Sequence, residues 1–183
     1  MTISEQIDSD VKCMREYFQR LFSLAQDATA DETLPSTIDE FEDRFIRHSV
    51  AAFIRPDMAC NVYNLVDFWL ARLCSFHERN RNVPLAHKDI KAKSQLRAYH
   101  KYLTKVASLN LDSVLPNFDH LDSLRKVRNY LVHSGAHVEE DKCREIDNIA
   151  GVTVSGSLIV LSDAFIWDSL DHANTYLSAV ARA

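Results

Sequence analysis

Glycine and proline are scarce in this chain, which has three glycines and four prolines among its 183 residues. No phosphate-cradling loop, dinucleotide fingerprint or nucleophile elbow is present, and so few glycines leave no material for one. No apolar run approaches the length of a membrane span, and the first residues lack a basic stretch followed by an apolar one. We therefore expect a cytoplasmic protein.

The cysteines are few and dispersed, with no C-x-x-C pair among the four of them. This spacing favours reduced thiols over a zinc knuckle or a disulfide framework. His133 and His137 have the spacing of a zinc pair, with Cys143 or Glu139 as a nearby third ligand. Gly135 lies between the two histidines and is expected to end their helix there. We therefore predict no metal site and no cofactor.

Hydrophobic residues make up 46% and charged residues 26% of the chain, which is ordinary globular composition. A length of 183 residues fits one domain, so residues 1–183 are expected to form a single unit. Apolar residues at steps of three and four predict helices. The predicted helices cover about 3–29, 37–54, a third segment after Pro56 that buries its Val62–Leu73 face, 87–109 and 118–134.

The pattern changes at "GVTVSGSLIVLS", where two β-branched runs flank Ser155-Gly156-Ser157. These runs predict a small β-hairpin near residues 152–161. A last helix is expected after Ser162 as N-cap, with one inward face. That face comprises Ile166, Leu170, Ala173, Leu177 and Val180. The predicted fold class is therefore all-α, a helical bundle with a small hairpin insertion.

The net charge of −5 argues weakly against a general nucleic-acid binder, but the charges are unevenly distributed. Acidic residues are concentrated in the first 43 positions, whereas the 87–109 segment is basic. Lys93, Arg97, Lys101 and Lys105 recur every four residues along it. This basic stripe is either a solvated helix face or a surface that follows RNA phosphates.

The stretch "VRNYLVHSGAH", residues 127–137, closes the predicted fifth helix. Asn129 and His133 are four residues apart and share a helix face. A histidine in the last turn and a glycine after it are expected of a helix end. Asn129 has no such explanation, because asparagine is a mediocre residue in a helix interior.

The pattern R-N-x-x-x-H, formed here by Arg128, Asn129 and His133, resembles the signature of the HEPN superfamily. The apolar steps before it, the core helix "CNVYNLVDFWLARLCSF" and the closing "LIVLSDAFIWDSLDHANTYL" are similar to that family as well. The resemblance covers about residues 50–182 and is most specific over 121–140. Residues 1–50 are then additional N-terminal helices.

The resemblance implies a HEPN-type bundle, usually a homodimer whose two motifs meet in one composite cleft, and in many members a metal-independent endoribonuclease. His133 would be the acid-base group, Arg128 would hold the phosphate, and Asn129 would orient the histidine or the ribose. Cleavage through the 2′-hydroxyl would leave a 2′,3′-cyclic phosphate. Many members also carry an acidic residue on the preceding core helix, and Asp67 matches that position. A solvated carboxylate is the other interpretation of Asp67.

The predicted catalytic set is therefore Arg128, Asn129, His133 and Asp67. RNA contacts are expected from the basic stripe and from Arg125 and Lys126 just ahead of the motif. The expected partners are RNA, a second copy of the chain and, in toxin–antitoxin or phage-defence settings, an antitoxin or other protein. The alternative is a non-catalytic HEPN module for dimerisation or nucleotide binding.

Overall fold

The computed structural model describes residues 2–29, 37–81 and 85–183, and most of these residues are helical. The α-helices within these ranges are α1 Ile3–Thr29, α2 Ile38–Arg81, α3 Gln95–Lys101, α4 Leu115–His133, α5 Cys143–Asp147 and α6 Asp163–Arg182. Two antiparallel strands, β1 Val152–Ser155 and β2 Leu158–Leu161, form the hairpin. The all-α architecture with a small hairpin is therefore confirmed. None of the described helices is long and apolar enough to span a bilayer.

Helix α6 lies at the centre of the bundle and packs against α1, α2 and α4. It begins where predicted, because the Ser162 hydroxyl accepts a hydrogen bond from the Phe165 N–H at 3.2 Å. The five residues predicted to face inward are all fully buried. Ile7, Val11 and Phe18 of α1 join the same core.

The predicted core stripe of α2 is confirmed at Val62, Val66, Leu70 and Leu73, which are fully buried. The predicted break at Pro56 is wrong, since α2 continues from Ile38 to Arg81 with this proline inside it. A proline removes one helical hydrogen bond, and this loss can be offset where neighbouring contacts hold both sides.

Contacts on both sides of Pro56 hold the helix to the rest of the bundle. Arg55 pairs with Asp163 of α6 at 2.5 Å, and its guanidinium lies 5.8 Å from the centre of the Phe22 ring of α1. Met58 and Ala59, just beyond the proline, are fully buried. We attribute the continuous helix to these tertiary contacts.

The predicted helix over 87–109 is also wrong in its extent. A single 3-10 turn covers His87–Asp89, and α3 begins only at Gln95. Ser94 has an extended backbone and its hydroxyl accepts the Arg97 N–H at 3.3 Å, so it caps the start of α3. After Lys101 the helix widens into a π-helical turn, Tyr102–Val106. Lys93 consequently lies before the helix rather than on it.

The hairpin is joined to the end of α4. The Ile159 N–H donates to the Ala136 carbonyl at 3.0 Å, and the Val138 N–H donates to the Ser157 carbonyl at 2.8 Å. Gly135 and Ala136 both have positive φ, +57° and +67°, which turns the chain sharply after α4. The hairpin therefore fixes the direction of the chain that follows the R-N-x-x-x-H motif.

Candidate active site

Helix α4 presents the motif beside its buried face. Leu121, Leu124 and Val127 are fully buried, and the next two residues, Arg128 and Asn129, are half-buried at the edge of the core. The position of the motif thus follows from the apolar pattern of α4, which leaves Arg128 and Asn129 at the boundary between core and solvent.

Arg128 is held against α2 by an aromatic ring. Its guanidinium carbon lies 5.7 Å from the centre of the Tyr63 ring, a cation–π arrangement. Its Nε is buried and has no hydrogen-bond partner among the described residues, and no ion pair involves its side chain there. Within the described ranges, the guanidinium therefore has no direct carboxylate partner.

A cleft of about 410 Å³ lies between α2, α4 and the start of α3. It brings together Asp67, Arg128 and Asn129, three of the four predicted catalytic residues. Lys93 and Arg125, two of the predicted RNA contacts, line it as well. These five residues come from three separate segments of the chain, so only the folded bundle assembles them.

Asp67 lies in the cleft without a direct ion pair to Arg128. Burial raises the pKa of the Asp67 carboxyl above its usual value, and the positive charge of Arg128 opposes this shift. Asp67 and Arg128 line the same cleft, and a shared catalytic role for them stays a prediction. Their contact is electrostatic rather than a hydrogen-bonded pair in the described structure.

Tyr63 is one of the cleft residues that the sequence did not indicate. It lies one helical turn before Asp67 on the same face of α2, and this i, i+4 spacing was the available signal. Burial raises the pKa of its phenol, Asp67 raises it further, and Arg125 and Arg128 oppose the shift. The phenol is therefore a neutral hydrogen-bonding group at the wall of the cleft.

His133, the fourth predicted catalytic residue, is not among the residues that line this cleft. It is the last residue of α4 and its side chain is exposed. The helix ends there as expected, since Gly135 takes a left-handed conformation and the Tyr130 carbonyl accepts the N–H groups of Ser134 and Ala136. His133 is available to solvent or to a second molecule.

His137 lies outside α4, and its Nδ1 is 3.0 Å from the Ser157 hydroxyl. The glycine therefore separates the two histidines, as the sequence predicted. No group of three or more histidine, cysteine, aspartate or glutamate side chains that could hold a metal occurs within 2–29, 37–81 and 85–183.

A smaller cleft of about 290 Å³ lies on the other side of α4. Arg125 and Asn129 line both clefts, so the motif stands between two depressions. Lys126 and Lys142 line the smaller one, but Lys126 pairs with Glu145 at 2.6 Å. Its charge is therefore already partly neutralised.

The basic stripe does not form one helical face. Arg97 donates two hydrogen bonds to the buried Asp122, at 2.8 Å and 3.3 Å, and Arg125 donates to the same carboxylate at 2.8 Å. Lys101 donates to the Lys91 carbonyl, and Lys105 lies on the π-helical turn. Arg97 thus links α3 to α4, Arg125 pairs with Asp122 within α4, and Lys93 and Lys105 are exposed. RNA binding by these residues stays a prediction.

Several histidines outside the motif are buried or stack against buried rings. His77 and His87 are buried, at 4% and 6% exposure. His100 stacks on Phe118 and lies 2.7 Å from the Tyr176 hydroxyl, where burial lowers the pKa of its imidazole. Their scattered spacing in the sequence carried no sign of this, because their partners are distant in the chain.

Comparisons with protein-family models, with curated proteins and with solved structures found no match to this chain. The HEPN resemblance therefore remains a prediction that depends on the motif and its surroundings.

Proposed function

We propose that this protein is a metal-independent endoribonuclease of the HEPN type. The observation that carries the proposal is the cleft in which Arg128, Asn129 and Asp67 meet, with the exposed Lys93 at its edge. A guanidinium without a direct carboxylate partner can bind phosphate oxygens through its N–H groups. The cleft therefore has the cations and the amide that an RNA phosphate group needs.

The proposed reaction uses the nucleophile that RNA carries. The 2′-hydroxyl oxygen attacks the adjacent phosphorus, the bond to the 5′-oxygen of the next nucleotide breaks, and a 2′,3′-cyclic phosphate and a 5′-hydroxyl result. A base must take the 2′-hydroxyl proton and an acid must protonate the leaving oxygen. Arg128 would stabilise the charge on the phosphate oxygens. His133 is proposed for proton transfer, since imidazole titrates near neutral pH.

A homodimer would supply the second proton-transfer group. One chain contributes a single motif histidine, and that histidine is exposed at the end of α4 rather than lining the cleft of its own chain. Two chains related by a two-fold axis could place two imidazoles at one phosphate. Sedimentation at micromolar concentration should then report twice the mass of one chain.

The second candidate is a non-catalytic HEPN module, and the separation of His133 from the cleft of its own chain favours it. In that case Arg128 and Asn129 would bind an anionic partner without cleaving it. An RNA-degrading role in toxin–antitoxin or phage defence, with an antitoxin as a further partner, belongs to the first candidate alone.

Analysis of the RNA ends separates the two candidates. Purified protein is incubated with mixed RNA in excess EDTA, and the new termini are identified. The proposal predicts fragments with 2′,3′-cyclic phosphate and 5′-hydroxyl ends. Intact RNA that is bound but not cut would support the non-catalytic module, and cleavage that requires added zinc or magnesium would contradict the metal-independent mechanism.

A further inference from the structure

A third depression, a cavity of about 420 Å³, lies between the beginning of α1, the later turns of α2 and the His87–Asp89 turn. Three cations line it, Arg72, Arg79 and Lys88, and its lining among the described residues includes no aspartate or glutamate. None of these cations belongs to the predicted catalytic or RNA-binding sets. We call this space the α2 cavity.

The three cations of the α2 cavity have no ion-pair partner in the part of the chain that the structure describes. Arg79 donates from Nε to the Ser75 carbonyl at 3.2 Å, a bond within its own helix that leaves the guanidinium charge uncompensated. Like charges that converge on one concave site repel each other, and a bound anion would relieve that repulsion. The site therefore favours a multiply charged anion such as phosphate.

His87 adds a buried polar group to the same wall. It is 6% exposed, lines the cavity and has its Nδ1 2.8 Å from the Glu78 carboxylate. A carboxylate can only accept at this distance, so the ring carries its proton on Nδ1 and keeps Nε2 for another partner. The hydrogen bond from His87 lowers the pKa of Glu78. Glu78 itself does not line the cavity.

Flat groups complete the site. The Arg72 guanidinium lies 5.2 Å from the centre of the Phe68 ring and 5.3 Å from that of Trp69, so one of its faces is stacked against aromatic rings. The Arg72 side chain is exposed, which leaves its other face open. Trp69 and Phe76 also line the cavity. Planar guanidinium and aromatic surfaces of this kind stack on nucleobases.

We propose that the α2 cavity binds a nucleoside phosphate, with the phosphate at Arg79 and Lys88 and the base against Arg72. A volume of about 420 Å³ lies within the usual range of small-molecule pockets. The ligand is either a free nucleotide or one nucleotide of an RNA chain that continues from the motif cleft. The second source fits the geometry, because Asp67 in that cleft and Ala71 in this cavity are one turn apart on α2. The proposal holds whether or not the protein cleaves RNA.

Equilibrium binding tests the proposal without involving cleavage. The ligands are AMP, inorganic phosphate and a 5′-phosphorylated single-stranded 2′-O-methyl RNA, which lacks the attacking hydroxyl. The variants are Arg79→Glu and Lys88→Glu, both at exposed positions. The control is Lys12→Glu, the same charge reversal at an exposed position of α1 that lines neither this cavity nor the clefts beside the motif. Arg128→Ala removes the cation of the motif cleft. Circular dichroism verifies that each variant is folded.

We expect Arg79→Glu and Lys88→Glu each to weaken binding about tenfold or more, because each removes a charge-assisted contact. Lys12→Glu should leave the affinity unchanged. AMP binding that survives Arg128→Ala identifies the free nucleotide as the source, whereas binding of the oligonucleotide alone identifies the RNA chain. AMP should bind more tightly than inorganic phosphate because its base adds the stacking contact.

The proposal would be overturned if neither nucleotide ligand bound, or if Lys12→Glu weakened binding as much as Arg79→Glu and Lys88→Glu do. It would also be overturned if the protein bound AMP, but no more tightly than inorganic phosphate. A loss of binding in Arg128→Ala alone would assign the nucleotide to the motif cleft instead. Loss of RNA cleavage in another experiment would leave this proposal standing, and absence of binding here would leave the cleavage proposal standing.

Discussion

Asp122 is a buried carboxylate of α4 that pairs with Arg97 of α3, and removal of its charge should destabilise the fold. The side chain is 6% exposed and accepts hydrogen bonds from Arg97 and Arg125. We consider Asp122→Asn, which keeps the size of the side chain and removes its charge. The matched control is Asp119→Asn on the same helix, because Asp119 is exposed and makes no ion pair with the described residues.

The expected magnitude follows from the exposure of each arginine. The Arg97 side chain is 47% exposed, so this arm counts as a surface ion pair worth about 0.2–1 kcal/mol. The Arg125 side chain is 18% exposed, and a hydrogen bond to a charged group in such surroundings contributes about 1.5–3 kcal/mol. Together these give a loss of about 2–4 kcal/mol. For a chain of this length that corresponds to a decrease in Tm of roughly 4–16 °C.

The pH dependence gives an independent check on the same residue. Burial alone would raise the pKa of Asp122, but the hydrogen bonds from Arg97 and Arg125 outweigh it, so the pKa is lowered. The stabilisation is therefore complete above the pKa of the unfolded chain and is lost as the pH falls through the lower pKa of the folded state. The difference between wild type and Asp122→Asn should shrink as the pH falls below about 4.

Thermal and urea unfolding at pH 7 measure the change in the free energy of unfolding. A decrease for Asp122→Asn that is no larger than that for Asp119→Asn would refute this reasoning. Arg97 and Arg125 would then be free to bind RNA at no cost to the fold, as the sequence first suggested.

Three further predictions concern a turn, the cleft and an interior histidine. Gly151→Ala should lower the free energy of unfolding in urea more than Gly135→Ala does. Both glycines have positive φ, but a Cβ at Gly151 would lie 2.8 Å from the Ser162 Oγ and 2.9 Å from the Phe165 Cβ, whereas a Cβ at Gly135 would meet open space. Equal losses of stability in the two variants would contradict this steric explanation. Lys93→Glu should weaken RNA binding and lower its salt dependence, whereas Lys105→Glu, outside the cleft, should change neither. Equal effects of the two variants would indicate that RNA binds along the whole basic stripe. Burial, with a smaller effect of His172, lowers the pKa of His120 to about 4. Stability should therefore fall as the pH drops from about 6.5 towards 4, because the unfolded chain binds the proton in this range before the folded protein does. His120→Gln should reduce this dependence of stability on pH, and an unchanged dependence would mean that other groups cause it.

Local signals predicted much of the fold. Ser162 caps α6 through its own hydroxyl, and the apolar face of α6 follows from spacing alone, so a short window of sequence contains all the information needed. The predicted helix break at Pro56 was wrong because local sequence did not contain the deciding information. The contacts that offset its missing hydrogen bond come from Asp163 and Phe22, which are distant in the sequence.

The candidate site divides in the same way. The spacing of Asn129 and His133 within α4 is local, and the helix end at His133 could be predicted from Gly135. The proximity of Asp67 to Arg128 came from the resemblance alone, since 61 positions separate them and no spacing rule connects two helices. The pairing of Arg97 with Asp122 across 25 positions was missed for this reason, and it gives the exposed Arg97 guanidinium a carboxylate partner within the protein.

We predict that His133 transfers protons during metal-independent RNA cleavage, and activities of histidine variants provide the test. RNA cleavage in EDTA is measured for wild type, His133→Ala and His137→Ala. The two histidines are both exposed and lie four residues apart, but only His133 belongs to the R-N-x-x-x-H motif. We expect His137→Ala to cut RNA like wild type and the folded His133→Ala to lose activity by about 10²-fold or more. Full activity in His133→Ala would contradict the proposed proton transfer by His133.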